Sequence, residues 1–419
     1  MSDRICVVGH SAITCLGPDM DSTWDALVGG RSGIARHAAL GAEQFLQDLG
    51  GMVEAPEPGT RLAETSAIKP NARFLHLGLA AAYQAWTDAG LDRAELDFDR
   101  DRVAIIAGTA FGGVDLLEHE QARMTRRQTP AVSPFLIPGL VSNQAAGLIA
   151  QHLNIHGPSL APANACASGG HSIILGAMFL RSGEADLAVC GASESAFTPP
   201  IVNGFATMKA LLAKKAGDRS EADPGQASRP FSEDRAGFVM AEGAGMVILA
   251  TESAARRLGL QVQAELIGWS MNSDGYHLTM PCRERIAKCL RLALERSDLT
   301  SETLSYYNAH GTSTPVNDLT ETQVLKDVFG PSADRLPISS VKGALGHALG
   351  AASAIEAAVC IRAIRDQMIP PTINYRADPA LDLDYVPNQA RPGKLETVMS
   401  ASFGFGGTNN VLILKKPEF

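Results

Sequence analysis

Runs of consecutive apolar residues, each of strand length, recur along this chain of 419 residues. Residues 5–9, 103–107, 185–191 and 243–250 are such runs, and they lack the apolar-polar alternation of a strand with one solvated face. Strands of this kind are typical of sheets that are covered on both faces. Between them lie segments with apolar residues at helical spacing, and the clearest, 74–89, stops at Gly90.

The same alternation continues in the second half of the chain. Strands are predicted at 263–269, 305–309, 337–340, 397–402 and 410–415, and helices at 285–296, 318–329 and 351–365. Strands that alternate with helices predict an α/β fold. The two halves have similar content, so we predict two related units, residues 1–255 and 256–419.

Composition narrows the classes of protein that the chain can belong to. The net charge is −9 and no basic tract stands out, which argues against nucleic-acid binding. We find no uninterrupted apolar stretch of about 18 residues and no basic leader, so neither a membrane span nor a signal peptide is predicted. Seven cysteines without a CxxC pair argue against a disulfide framework or a zinc site and favour a reducing cytoplasm.

The stretch from Asn164 to His171 is a candidate nucleophile loop. Small residues surround Cys166, and an apolar segment typical of a buried helix follows it. The amide donors and positive end of such a helix favour a thiolate, which is the nucleophilic form of cysteine. The alternative is that Cys166 is a small core residue, as many lone cysteines are.

Two distant segments favour the catalytic interpretation. His310 lies in Asn-Ala-His-Gly-Thr-Ser-Thr and His347 in Lys-Gly-Ala-Leu-Gly-His-Ala-Leu-Gly, each after a strand-like run. Glycines let the backbone and a substrate approach closely. A lone histidine is more often structural, but one cysteine with two such histidines suggests acyl transfer through a thioester.

With these loops the sequence resembles the elongating beta-ketoacyl-acyl-carrier-protein synthases, the condensing enzymes of fatty-acid and polyketide synthesis. Further motifs match in order: Arg-Pro-Phe at 229–231, Gly-Phe-Val at 237–239 and Ser-Phe-Gly-Phe-Gly-Gly-Thr-Asn at 402–409. The resemblance implies the thiolase fold, with two similar halves in five αβαβα layers. It also implies decarboxylative Claisen condensation of an acyl thioester with malonyl carrier.

The resemblance also assigns roles to individual residues. Cys166 would hold the acyl group, and His310 and His347 would stabilise the enolate left by decarboxylation. Lys342 would support the histidines, and Glu356 would hold the active-site loops. Phe405 would gate acyl entry, and its amide and that of Cys166 would form the oxyanion hole.

A larger set is expected to bind substrate. The hydroxyls of Thr312 and Thr314 would hold the phosphopantetheine arm, His277 would line its tunnel, and Phe111 would lie at the acyl pocket. The set also includes Thr279, Phe205 and Phe403. Phe111 stands where long-chain enzymes have a smaller aliphatic residue, which puts an ordinary fatty-acid substrate in doubt. Asp318 and Glu321 are expected to cap and solvate a helix.

The expected partner is an acyl carrier protein, in acyl and malonyl forms, which delivers the phosphopantetheine arm. No metal and no permanently bound cofactor are expected. The resemblance implies a homodimer, with a heterodimer containing a related ketosynthase-like subunit as the alternative. Basic residues that would dock the carrier, among them Arg73 and Lys209, do not form the usual tight cluster.

Two other functions stay open. A chain-length-determining partner subunit would lack catalysis, but such subunits also lack the nucleophile, and this chain has Cys166. A thiolase-like enzyme acting on coenzyme A esters would need a second cysteine near the C-terminus, where this chain has none, and chain-initiating enzymes carry asparagine at the position of His347.

Overall fold

The structure is a computed structural model that describes residues 3–40, 44–54, 60–69, 72–212 and 219–418. Its strands are β1 Ile5–Ile13, β2 Ala35–Arg36, β3 Leu49–Gly50, β4 Val103–Gly108, β5 Ser159–Leu160, β6 Leu187–Glu194, β7 Gly243–Thr251, β8 Ala264–Ser273, β9 Tyr306–Asn308, β10 Ile338–Ser339, β11 Met368–Ile369, β12 Arg391–Pro392, β13 Thr397–Gly404 and β14 Thr408–Lys415. All the predicted strands are present, which confirms the α/β class.

Helices alternate with these strands. They are α1 Met20–Val28, α2 Arg61–Ser66, α3 Arg73–Asp88, α4 Val114–Arg127, α5 Leu136–Leu140, α6 Gln144–Leu153, α7 Ser168–Ser182, α8 Pro199–Thr207, α9 Arg219–Ala222, α10 Glu252–Leu258, α11 Arg283–Arg296, α12 Pro315–Phe329, α13 Lys342–Leu345 and α14 Ala352–Asp366. The polar loop expected at 213–228 lies partly outside the described residues, and its remainder contains α9.

Ten of the strands form one sheet in the order β10-β9-β13-β14-β8-β1-β7-β6-β4-β5. Its two halves have the same topology. Read from the edge of the sheet towards its centre, each half has two parallel strand pairings followed by two antiparallel ones. The strand orders are β5-β4-β6-β7-β1 in one half and β10-β9-β13-β14-β8 in the other. The halves meet where β1 pairs briefly with β8. This repeated topology gives the two similar halves of the predicted fold.

Five layers follow from the way in which side chains alternate along each strand. In β1, Ile5 and Val7 face a central core that includes α7 and α14, whereas Cys6 and Val8 face an outer core with α3 and α6. A second outer core packs α11 and α12 against the other half of the sheet. Both faces are therefore covered, which explains the apolar runs without polar alternation.

Candidate active site

Cys166 sits in a tight elbow between a loop and α7. A 3₁₀ turn, Ala165–Ala167, carries it to the helix start, and Ala165 has φ +49°. An alanine in this left-handed region costs roughly 1–2 kcal/mol. Ser168 holds the elbow, because its Oγ accepts the Asn164 N–H at 2.8 Å and donates to the Ala165 carbonyl at 2.7 Å. The turn thus points the thiol out of the helix end.

His347 is fixed on the opposite side of Cys166. Its backbone N–H donates to the Val239 carbonyl at 2.7 Å. The backbone N–H of Leu349 donates to His347 Nδ1 at 3.2 Å, so Nδ1 is the acceptor and Nε2 carries the proton of the neutral ring. Nε2 lies 3.0 Å from Cys166 Sγ. His347 is therefore a hydrogen-bond donor to the sulfur and not a base for it.

His310 follows β9 in a loop that a buried carboxylate holds. The Glu321 carboxylate accepts the backbone N–H groups of His310 and Gly311, both at 2.8 Å, and Tyr307 donates its hydroxyl at 3.0 Å. The ring of His310 lies edge to face with that of His347, with centroids 5.5 Å apart. One ring nitrogen of each histidine and Cys166 Sγ all lie within 4.8 Å of one another.

The expectation for Asp318 and Glu321 was wrong. Both side chains are buried, and neither is solvated. Asp318 accepts the Phe231 N–H at 2.8 Å, and the helix cap is Thr314, whose hydroxyl accepts the Asn317 N–H. These two carboxylates brace the His310 loop from behind, because α12 folds its first turns under that loop.

Lys342 and Glu356 form a buried ion pair behind the histidines, each side chain 2% exposed. Lys342 Nζ also donates to the His310 carbonyl at 2.7 Å, and Ser402 Oγ donates to Glu356 at 3.4 Å. The pair therefore joins α13, α14, β13 and the His310 loop. Neither side chain lines the cavity described below, and both lie behind the residues that do.

Burial controls the charges at this site. Desolvation holds the pKa of His347 well below its usual range, and the Lys342 ammonium lowers it further. The pKa of His310 is lowered for the same two reasons and by His347. Both rings are neutral at pH 7. Burial raises the pKa of the Cys166 thiol to about 11, against the opposing effect of Lys342. The thiolate expected from the helix end is thus disfavoured at rest.

Phe405 and Cys166 each direct a backbone N–H at the sulfur, and both amides lower the thiol pKa. The Phe405 ring is 36% exposed, and the next two residues, Gly406 and Gly407, have φ of +84° and +70°. A loop with such glycines can change conformation at low cost. These two amides therefore flank the thiol, and their expected role as an oxyanion hole stays a prediction.

One cavity of about 330 Å³ ends at Cys166. Nearly all the substrate-binding candidates line it together with both histidines: Phe205, His277, Thr279, Thr312, Thr314, Phe403 and Phe405. The Thr312 and Thr314 hydroxyls are hydrogen-bonded at 2.8 Å. His277 Nδ1 accepts the N–H groups of Thr279 and Met280, so its Nε2–H is left to donate outward.

A second cavity of about 390 Å³ lies beyond Cys166, and Phe111 is in its wall. The ring of Phe205 borders both cavities, and it contacts Phe111, Phe238 and Phe405 at centroid distances of 6.1, 5.4 and 6.3 Å. Phe238 also packs edge-on against His347 at 5.3 Å. The Gly-Phe-Val motif at 237–239 is recognisable in the sequence, but the sequence predicts no role for the Phe238 ring.

A thiolate and two imidazoles are also ligands of zinc, and no other group of three such residues lies this close among the described ones. Tetrahedral zinc would hold sulfur and nitrogen roughly 3.5 Å apart. The observed 3.0 Å between Cys166 Sγ and His347 Nε2 is a hydrogen-bond distance and favours direct contact without a metal ion between them.

No described helix is long and apolar enough to cross a membrane.

Comparison with known proteins is consistent with this geometry. Residues 2–255 match the family model "Beta-ketoacyl synthase, N-terminal domain", and residues 263–376 match "Beta-ketoacyl synthase, C-terminal domain". The chain belongs to the beta-ketoacyl synthase family. A 3-oxoacyl-(acyl-carrier-protein) synthase 2 of Synechocystis sp. is 38% identical over 99% of this chain and 98% of its own length, and one from Coxiella burnetii is 36% identical over the same shares.

Solved structures of other beta-ketoacyl synthases share the thiolase fold. A ketosynthase in complex with the acyl-carrier protein of a type II polyketide synthase, bound to the hexaketide, has a TM-score of 0.90 at 30% identity, with both chains covered completely. The ishigamide ketosynthase/chain length factor has a TM-score of 0.89 at 31% identity, again with complete coverage of both chains.

Proposed function

We propose that this chain is a beta-ketoacyl-acyl-carrier-protein synthase that joins an acyl group held on Cys166 to the two-carbon unit of malonyl carrier. The hydrogen bond from His347 Nε2 to Cys166 Sγ, with His310 beside both, carries the proposal. The names of the relatives support it. The likeness to ketosynthases of polyketide assembly is compatible with a specialised product.

In the first half-reaction, Cys166 attacks the thioester carbonyl of an acyl carrier. The sulfur–carbonyl bond forms, the carrier thiolate leaves, and the proton of the Cys166 thiol passes to it. Negative charge on the carbonyl oxygen would be met by the amides of Cys166 and Phe405. The bond from His347 stabilises charge on the sulfur while the proton departs.

In the second half-reaction, malonyl carrier loses carbon dioxide. The electron pair of the broken bond forms an enolate, whose oxygen is stabilised by N–H donors of neutral His310 and His347. The enolate carbon attacks the acyl carbonyl on Cys166. The cysteine thiolate leaves and takes up one proton. Neutral rings suit this step, because they can donate without carrying charge into the pocket.

The phosphopantetheine arm of the carrier fits the 330 Å³ cavity by its chemistry. Apolar side chains form most of the wall, and the hydroxyls of Thr312 and Thr314 and the Nε2–H of His277 supply polar contacts for the amides of the arm. The second cavity would hold the acyl chain. We propose that Phe205 and Phe405 separate the two compartments.

The proposed partners are the acyl carrier protein and a second copy of this chain. Lys209, whose φ is +59°, borders the cavity and is available to an acidic carrier. Arg73 is not, because it forms a bidentate ion pair with buried Glu242. Strand β5 is an edge of the sheet with Leu160 43% exposed, so a second chain could pair along it. We propose a second copy of this chain there, with a related ketosynthase-like subunit as the alternative.

Three further proposals concern organisation. We place the boundary between the two halves at residue 255, inside α10, which connects β7 to β8. We propose that the enzyme works in a reducing cytoplasm, where Cys166 stays unmodified. We propose no permanently bound cofactor, because the thiol, the two rings and the backbone amides supply every group that the two half-reactions require.

The proposal is tested by supplying acyl carrier together with malonyl carrier labelled at the free carboxyl carbon. Release of labelled carbon dioxide and a 3-oxoacyl carrier two carbons longer than the acyl group is the expected result. Product formed only from coenzyme A esters, without carbon dioxide, would indicate a thiolase. No turnover with any carrier, with the thiol intact, would indicate a non-catalytic partner subunit.

A further inference from the structure

A buried carboxylate outside the described machinery joins the two loops that flank Cys166. Glu194 ends β6 and is fully buried. Its Oε2 accepts the N–H of Ala110 at 2.6 Å and that of Gly350 at 3.2 Å. Its Oε1 accepts the Thr109 hydroxyl at 3.1 Å and the N–H of Phe111 at 3.4 Å. These partners, which are backbone N–H groups and one hydroxyl, include no cation.

The Gly350 contact leads directly to His347. Leu349, between them, is buried with φ +47°, a conformation that a branched side chain rarely adopts. The N–H of this same Leu349 holds His347 Nδ1 and so fixes the proton on Nε2. A strained turn persists only where its surroundings hold it. The carboxylate of Glu194 supplies that restraint on one side of the turn.

The other contacts lead to the acyl cavity. Ala110 and Phe111 are in its wall, and Glu194 accepts both of their backbone N–H groups. A Cβ on Gly350 would lie 2.5 Å from the Ala110 nitrogen and 2.7 Å from Glu194 Oε2, so the two loops touch at this point. One carboxylate therefore sets the spacing between the acyl wall and the turn behind His347.

We propose that Glu194 is a positioning residue that locks the proton of His347 onto Nε2 and couples this lock to the wall of the acyl cavity. The inference rests on Cys166 being the nucleophile but not on any particular substrate. Without the carboxylate, the Leu349 turn can relax and release Nδ1. His347 could then place its proton on either nitrogen and would donate to Cys166 less of the time.

The test is the pH dependence of Cys166 alkylation by iodoacetamide, which needs no carrier. The titratable groups facing the thiol are His347, His310, Lys342 and Glu356, and all of them stay in place. Burial raises the pKa of Glu194 itself to about 7. In Glu194→Gln an amide N–H₂ must face backbone N–H donors. We expect the apparent pKa of Cys166 to rise and alkylation at pH 8, where the wild-type Glu194 is ionised, to slow roughly tenfold, as for loss of a hydrogen bond to a charged sulfur.

Glu242→Gln is the matched control. It makes the same change at another buried carboxylate of the same half, which bonds Arg73, Ser195 and the Val53 N–H but neither flanking loop. It should lower the melting temperature without moving the alkylation profile. Glu194→Asp keeps the carboxyl group but is too short to reach both loops, so it should shift the profile in the same direction as Gln.

If Glu194→Gln does not fold, Thr109→Val replaces it as the test. This variant removes the hydroxyl that donates to Glu194 and keeps the volume of the Thr109 side chain. It should shift the profile in the same direction by less. The proposal is overturned if folded Glu194 or Thr109 variants keep the wild-type profile, or if Glu242→Gln shifts it equally. If condensation itself fails in the wild type while these shifts appear, the proposed function is wrong and the positioning role stands.

Discussion

The rings of Phe111 and Phe205 meet edge to face with their centroids 6.1 Å apart, in the wall of the cavity that begins at Cys166. This contact fills volume that a flexible saturated chain would need. A chain of about 12 carbons must displace a ring, and overpacking costs about 1–3 kcal/mol. We therefore predict that this aromatic pair sets the acyl preference.

Phe111→Ile is expected to raise Cys166 acylation by long saturated chains roughly ten- to a hundredfold, and acylation by short chains much less. The measurement is acylation rate against chain length for both proteins with one carrier. Leu117→Ile, on an exposed side chain of α4, is the control and should leave the profile unchanged. Parallel profiles for Phe111→Ile and the wild type would show that the ring does not limit chain length.

His347→Ala is expected to separate the two half-reactions. Loss of one oxyanion donor typically costs roughly 10²–10³ in rate, so decarboxylation of malonyl carrier should fall by that factor. Cys166 should still be acylated, but more slowly than in the wild type, because its sulfur loses the His347 donor. His152→Ala is the control, because among the residues that the structure describes its ring hydrogen-bonds only to Tyr83, far from the site. Decarboxylation at the wild-type rate in the His347 variant would remove this residue from the mechanism.

The pH dependence of decarboxylation follows from the neutral histidines. Burial and Lys342 depress the pKa of His347, so the ring stays neutral until the pH falls well below 6.5. Protonation of the histidines should therefore lower the rate of decarboxylation only well below pH 6.5. Burial raises the pKa of Glu194 and Glu321, which hold the two histidine loops, to about 7, so the profile is measured in Glu194→Gln and Glu321→Gln as well. A loss of half the rate near pH 6.5 that persists in both variants would mean that the histidines titrate as solvated groups.

The buried ion pair predicts unequal stability effects. Lys342→Met leaves the Glu356 carboxylate buried without its partner, which should cost about 3–5 kcal/mol in the free energy of unfolding. Combining it with Glu356→Leu should restore part of that loss. Arg283→Met breaks an exposed pair with Asp327 and should cost at most about 1 kcal/mol. Denaturant titration measures all of these, and equal losses in the single and double variants would refute the account.

The fold could be predicted because its strands are covered on both faces and therefore read as apolar runs. Cys166, His310 and His347 could be found because glycine-rich loops deliver them. The roles of Glu321 and Glu194 could not. Glu194 is buried by loops distant in sequence, and Glu321 by the His310 loop that folds over the second turn of α12. Neither position, at the end of a strand or within a helix, reveals this burial in the sequence.

The state of His347 and Cys166 also required the structure. The tautomer depends on the N–H of Leu349, which adopts a left-handed conformation without being glycine. The sequence predicts the helix end that favours a Cys166 thiolate. It does not predict the desolvation that outweighs this effect and raises the pKa of the thiol. Local pattern predicts which elements form, whereas the protonation states depend on long-range packing.

The central claim is that the acyl group is carried on Cys166 and leaves it as a condensation product. Intact-protein mass and a peptide map, taken after acyl carrier is added and again after malonyl carrier, test it most directly. We predict an acyl adduct on Cys166 that disappears as the 3-oxoacyl carrier forms, and neither species with Cys166→Ala. An adduct on buried Cys190, or product from the Cys166→Ala variant, would contradict it.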